Sequence, residues 1–206
     1  MKHVLTELPR AITELAKNLM SPGTHRHTTA RQTIVVVPGL FSSSTSALKS
    51  HFREHDVYDW GQGVNWGYTR QKATELHNLC TLLANTHGRS VTIIGHSLGG
   101  VYARSVAKTC SSVERVVCLG TPVELPTLLA NYLCDPEYKV PPSTPTYMIY
   151  SNMDGIVPFA HQPGTTNIEV TCSHIGMTWS IEVLKVIDSV LAIAPDENNC
   201  LQTETN

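Results

Sequence analysis

One serine carries the strongest chemical signal in this 206-residue chain. Ser97 lies in Gly95-His96-Ser97-Leu98-Gly99-Gly100, directly after the apolar run Val91-Thr92-Ile93-Ile94. A G-x-S-x-G between a strand and a helix puts the serine on a sharp turn, with its hydroxyl exposed above the sheet. The backbone there is strained, so Gly95 and Gly99 must be small, and Gly100 and Ala103 let the helix approach the sheet. The helix N-terminus favours negative charge nearby. A hydroxyl is a poor nucleophile near neutral pH and needs an adjacent base.

In this strand-turn-helix context the partners follow the serine in the order acid, then histidine. His174 fits the base: it follows an expected strand at 168–171 and precedes the last helix, at the carboxyl end of a sheet where such loops gather. His161 is the competitor, in a loop rich in Pro and Gly. His96 belongs to the turn itself, and its side chain is expected to point away from that of Ser97. Asp154 fits the acid, just beyond a strand at 147–150, where it would fix the imidazole tautomer and stabilise the imidazolium. Asp135, in Cys134-Asp135-Pro136, is the alternative, against its reading as a turn residue. A tetrahedral intermediate needs two N–H donors. One is expected to be the backbone amide of Leu98, the residue after the nucleophile.

These residues need a scaffold of alternating strands and helices. Strands are expected at 33–37, 56–60, 91–94, 115–119, 147–150 and 168–171, the first a β-branched run suited to burial on both faces of a parallel sheet. Helices are expected at 45–54, from Thr69 to a stop at Gly88, to about Lys108, and along the stripe Met177, Ile181, Leu184, Ile187 and Leu191. Right-handed crossovers between such strands build an α/β fold, a doubly wound and mostly parallel sheet with helices on both faces. Leu5, Leu8, Ile12, Leu15 and Leu19 form an amphipathic helical stripe, read as a brace. This divides the chain into an N-terminal helix and connector (1–32), a main domain (33–194) and a polar tail (195–206).

The sequence resembles the α/β-hydrolase superfamily. Its nearest likeness is the bacterial serine esterase and lipase branch and the lipase-like domains related to inositol deacylases. The resemblance is carried by Val35-Val-Val-Pro-Gly-Leu40, Gly95-His-Ser-Leu-Gly-Gly100, Leu119-Gly-Thr-Pro122, Asp154-Gly-Ile-Val-Pro158 and Ser173-His174. They run in the family's chain order. It implies an α/β-hydrolase fold and a serine hydrolase that cleaves carboxylic esters through an acyl-enzyme, with Ser97, Asp154 and His174 as triad. It also implies a second oxyanion donor after the first strand, the amide of Leu40 or Phe41. Lipases of this kind read His-Gly-x there; here Pro38 stands in place of the histidine, so any orienting bond from that side chain is lost.

Acyl transfer or thioester hydrolysis would use the same triad, and a non-catalytic binding protein would keep only the scaffold. Between Pro122 and Pro145 there is room for a lid of one short helix at most. Phe41, Val157 and Phe159 adjoin the expected catalytic loops and could line an acyl pocket. Trp60-Gly-Gln-Gly-Val-Asn-Trp-Gly67 either lines its mouth or covers the core.

Composition narrows the partners. Fifteen basic against seventeen acidic residues leave a net charge of −2, with 41% hydrophobic and 16% charged residues. No basic field recruits nucleic acid. No phosphate-cradling loop or dinucleotide fingerprint appears, so no cofactor is expected. His25 and His27 have no third metal ligand in sight. No run reaches the roughly 18 apolar residues of a membrane span, although the N-terminal helix leaves peripheral membrane contact open. Six scattered cysteines without a CxxC pair fit a reduced, cytoplasmic protein. The expected partner is a small-molecule or lipid acyl ester.

Overall fold

The computed structural model describes residues 31–158 and 160–193. The amphipathic stripe at 5–19 and the tail at 195–206 lie outside the described residues. The strands are β1 (Thr33–Val37), β2 (Asp56–Asp59), β3 (Val91–His96), β4 (Val113–Leu119), β5 (Thr146–Tyr150) and β6 (Thr166–Glu169). They form one six-stranded sheet in the order β2-β1-β3-β4-β5-β6. Every pairing is parallel.

Helices α1 (Ser46–His51), α2 (Arg70–His87), α3 (Leu98–Ala107) and α4 (Thr127–Leu133) connect successive strands from β1 to β5, and α5 (Ile181–Ala192) follows β6. The punctuation of α2 follows from its ends. Thr69 caps it by accepting from the Lys72 amide, and Gly88 ends it in a left-handed conformation at φ 62°. The expected helix over 177–191 is broken. Residues Ile175–Thr178 form a 3-10 turn, and α5 starts only after Ser180. Met177, read as part of the helical stripe, is therefore a buried residue of that turn. The last strand also sits earlier than expected, at Thr166–Glu169, which leaves 170–174 free to form a loop.

The apolar runs of β1, β3 and β4 bury both faces because alternate side chains enter two separate cores. Val35, Val37, Ile93, Val116 and Cys118 pack with Leu76 and Cys80 of α2 and Tyr102 of α3. Ile34, Val36, Ile94, Val117 and Leu119 pack on the opposite face with Leu48 of α1 and Ile187 of α5. Among the described residues, no helix is long and apolar enough to cross a membrane.

Candidate active site

The turn between β3 and α3 holds Ser97 at φ 52° and ψ −122°. A non-glycine residue at positive φ is strained by roughly 1–3 kcal/mol and must be held by its surroundings. Here the Ser97 amide donates to the Leu119 carbonyl at 2.7 Å, and its carbonyl accepts from Gly100 at 3.0 Å. Close packing explains the glycines. A Cβ on Gly95 would lie 2.5 Å from the Gly99 and Gly100 backbone, and one on Gly99 would lie 2.2 Å from the Val37 carbonyl oxygen. One on Gly100 would meet the Thr121 hydroxyl at 1.9 Å.

Asp154 and His174 come together from the loops after β5 and β6. The His174 Nδ1–H donates to Asp154 Oδ2 at 2.7 Å, with both residues 4% exposed. The other carboxylate oxygen accepts the amides of Ile156 at 2.8 Å and Val157 at 2.7 Å. Ser151 joins the two loops, its hydroxyl accepting from Met153 at 3.0 Å and Cys172 at 3.3 Å. Gly120, at φ 53° after β4, makes the space for the pair. A Cβ there would lie 3.0 Å from both Asp154 Oδ2 and His174 Nδ1.

The rival acid and rival base sit elsewhere. Asp135 accepts from Ser105 at 2.6 Å, Tyr68 at 2.8 Å and the Glu137 amide at 2.7 Å. Although burial opposes it, this hydrogen bonding leaves its carboxyl below the usual range. His161 is exposed and packs against Tyr150.

Ser97, His96 and His174 line one cavity of about 520 Å³, with Leu40, Phe41, Leu48, Ile156, Ile175 and Trp179 forming its apolar wall and Ser42, Ser44 and Ser46 its polar side. A cleft of that size suits a small ligand. Of the three expected pocket residues, Phe41 lines the cavity, Val157 does not, and Phe159 lies outside the described residues. Val157 is buried with its amide bound to Asp154, and its neighbour Ile156 takes the wall position instead.

The loop after β1 is held by a residue without an assigned role in the sequence. Asn65 is fully buried and donates its side-chain amide to the Pro38 carbonyl at 2.8 Å. Its backbone carbonyl accepts from Phe41 at 2.7 Å, and its amide donates to Ser42 at 3.0 Å. The Phe41 amide is thus turned to Asn65, which leaves Leu40 as the loop's candidate for a donor facing the cavity. Asn65 supplies from 27 residues downstream the anchoring that Pro38 cannot give. Two glycines just ahead, Gly61 and Gly63 at φ 76° and 64°, fold that segment back. Within it Trp60 is core, whereas Trp66 is 66% exposed and meets the 70% exposed Phe41 edge to face, centroids 5.8 Å apart.

His96 differs from its expected orientation. Its ring lies at the cavity beside His174, centroids 4.9 Å apart, and Nε2 is 3.0 Å from the His174 carbonyl oxygen. Burial, with the neighbouring His174 adding to it, pushes its pKa down to about 3, so the ring is neutral.

This architecture is the α/β-hydrolase fold: a parallel sheet, a strand-turn-helix serine at its carboxyl end, and an Asp–His pair on later loops. A family profile for the PGAP1-like alpha/beta domain matches residues 72–135, the stretch from α2 through the Ser97 turn to α4. The mature lipase BlEst2 of Bacillus licheniformis is similar in structure, with a TM-score of 0.60 at 18% identity over 84% of this chain and 96% of its own. A YdeN-like hydrolase of Pectobacterium atrosepticum, itself described only as putative, gives 0.57 at 16% over 91% and 98%. The monoacylglycerol lipase of Paleococcus ferrophilus gives 0.56 at 14% over 83% and 99%. No curated protein matches by sequence.

Proposed function

We propose that the protein is a serine hydrolase that cleaves carboxylic esters, with Ser97 as nucleophile, His174 as base and Asp154 as the acid that orients it. The observation that carries this reading is the buried 2.7 Å Asp154–His174 pair, whose histidine lines the same cavity as the strained Ser97. The Ser97 hydroxyl attacks the ester carbonyl while His174 takes its proton through Nε2. Asp154 keeps the proton of His174 on Nδ1 and stabilises the imidazolium without itself becoming protonated. The amides of Leu98 and Leu40 receive the oxyanion. Collapse of the tetrahedral intermediate returns the proton from His174 to the leaving alcohol. Water, activated by the same histidine, then hydrolyses the acyl-enzyme.

The apolar wall from Leu40 to Trp179 supports an acyl chain as the occupant of the cavity. That two of the structural neighbours are described as lipases supports the ester class. Five free, buried cysteines among the described residues support a reducing, cytoplasmic setting.

The test is hydrolysis of p-nitrophenyl esters from acetate to palmitate by wild type and Ser97→Ala together. Turnover that falls at least about a thousandfold in the variant is expected for loss of a nucleophile that works as a unit with its base. The chain-length optimum then distinguishes an esterase from a lipase. Equal turnover by the two proteins, or none by folded wild type on any ester, would defeat the proposal.

A further inference from the structure

We propose that His96 is a positioning residue, which fastens the turn carrying His174 to the end of the strand carrying Ser97. The inference rests on the reading of Ser97 and His174 as nucleophile and base. Those two residues reach the site from separate loops, and Asp154 cannot set the distance between them. It lies after β5, two strands away from β3 in the sheet, and its bond to Nδ1 orients the imidazole without reference to the serine. His96 immediately precedes Ser97, and its bond to the His174 carbonyl is a direct tie between the two chain segments.

The chemistry of that tie is unambiguous in direction. A carbonyl oxygen carries no hydrogen, so Nε2 of His96 is the donor and the neutral ring keeps its proton there. Nδ1 faces the loop after β1, where Gly39 leaves just enough space; a Cβ there would lie 3.0 Å from it. The ring also packs on that of His174, so it touches the base through both its backbone and its imidazole. Neutrality matters at this place. A cation beside His174 would oppose the imidazolium that forms as Ser97 attacks. Catalytic groups must be held to about 0.5 Å, and a displacement of about 1 Å can cost about a hundredfold in rate.

Two substitutions separate this role from ring packing alone. His96→Phe keeps an aromatic ring and loses the donor, whereas His96→Gln places an amide N–H near the position of Nε2. On the best ester substrate, His96→Phe is expected to lower kcat about ten- to a hundredfold with KM within about twofold, because a misplaced base slows the chemical step and leaves binding intact. His96→Gln is expected to recover kcat to within about threefold of wild type, since it restores the one bond the role requires. Should His96→Phe fail to fold, His96→Met replaces it as an apolar side chain without a donor.

A proton NMR readout on the free protein follows the His174 Nδ1 hydrogen bonded to Asp154. Its low-field signal is expected to shift or broaden in His96→Phe and to return in His96→Gln. Wild-type kcat in folded His96→Phe, a loss carried by KM, or a glutamine variant no better than phenylalanine would overturn the positioning role. The NMR signal needs no turnover, so it separates the two ideas. If wild type cleaves no ester, a signal that still responds to His96→Phe supports the tie while the hydrolase reading falls. A signal that does not respond overturns the tie.

Discussion

Ser97 and His96 are adjacent residues held against their own preferences. Ser97 takes a backbone conformation that non-glycine residues avoid, and His96 holds a half-buried imidazole that would rather be solvated and protonated in mild acid. The second has a consequence for stability. The unfolded histidine takes up a proton as pH falls below 6.5, while the folded one resists until about 3. Over that window the unfolded state binds more protons, so stability is greatest above 6.5 and is lost as pH falls towards 3. The slope from this residue alone approaches about 1.4 kcal/mol per pH unit, one proton's worth. Denaturant midpoints of wild type and His96→Gln between pH 6.5 and 4.5 isolate it, since the rest of the chain is common to both. The expected result is a shallower decline in the variant. Parallel curves would mean that His96 is protonated in the folded state.

At the scale of elements, the site is a matter of how closely α3 is pressed onto the sheet. Gly99 meets the backbone of β1 and the loop after it, with the Val37 carbonyl 2.2 Å from where a Cβ would be and the Pro38 carbonyl at 2.8 Å. Neither atom can swing aside as a flexible side chain would. Gly99→Ala must therefore lift α3 from β1, an overpacking cost of about 1–3 kcal/mol. For a chain of this size that corresponds to a fall in Tm of about 2–12 °C by calorimetry. Activity should fall further than stability, because the loop bearing Leu40 and the turn bearing Ser97 are the two parts forced apart. An alanine variant with wild-type Tm would show that the helix can shift without cost. The 3-10 turn at Ile175–Thr178 makes the same point in reverse. Its periodicity matched a longer helix, but continuing α5 back through Met177 would have removed the loop that carries His174.

The described residues form one sheet with a core on each face, and a smaller cluster of Leu98, Val101, Cys134 and Tyr138 lies apart from both. Leu76 of α2 and Ile187 of α5 are both fully buried, but they belong to different clusters separated by the strands. Leu76→Ala and Ile187→Ala should each cost about 2–5 kcal/mol in denaturant unfolding. Because they share no partner, the double variant should equal the sum within about 0.5 kcal/mol. A larger coupling would mean that strain passes through the sheet from one core to the other. The exposed Phe41 and Trp66 stand outside both cores, meeting each other edge to face, with the Phe41 amide donating to the Asn65 carbonyl.

The order of strands and helices, a mostly parallel sheet and the serine turn follow from local pattern. β-branched runs bury on both faces, Gly88 stops α2, and only small residues can flank a serine on so tight a turn. These constraints act between near neighbours, so they are written in adjacent residues. The pairing of Asp154 with His174 across 20 positions was legible only as chain order; its 2.7 Å geometry depends on the Gly120 clearance, which no local pattern encodes. Asn65 bracing the Pro38 loop and His96 turning towards His174 were not legible at all. Each joins segments 23 to 78 residues apart, and the side chain's direction is decided by which buried carbonyl needs a donor once the sheet has assembled. Val157 shows the same limit at a single position. Its apolar side chain suited a pocket wall, but the turn whose two amides both bind the Asp154 carboxylate buries Val157 and leaves Ile156 to line the cavity.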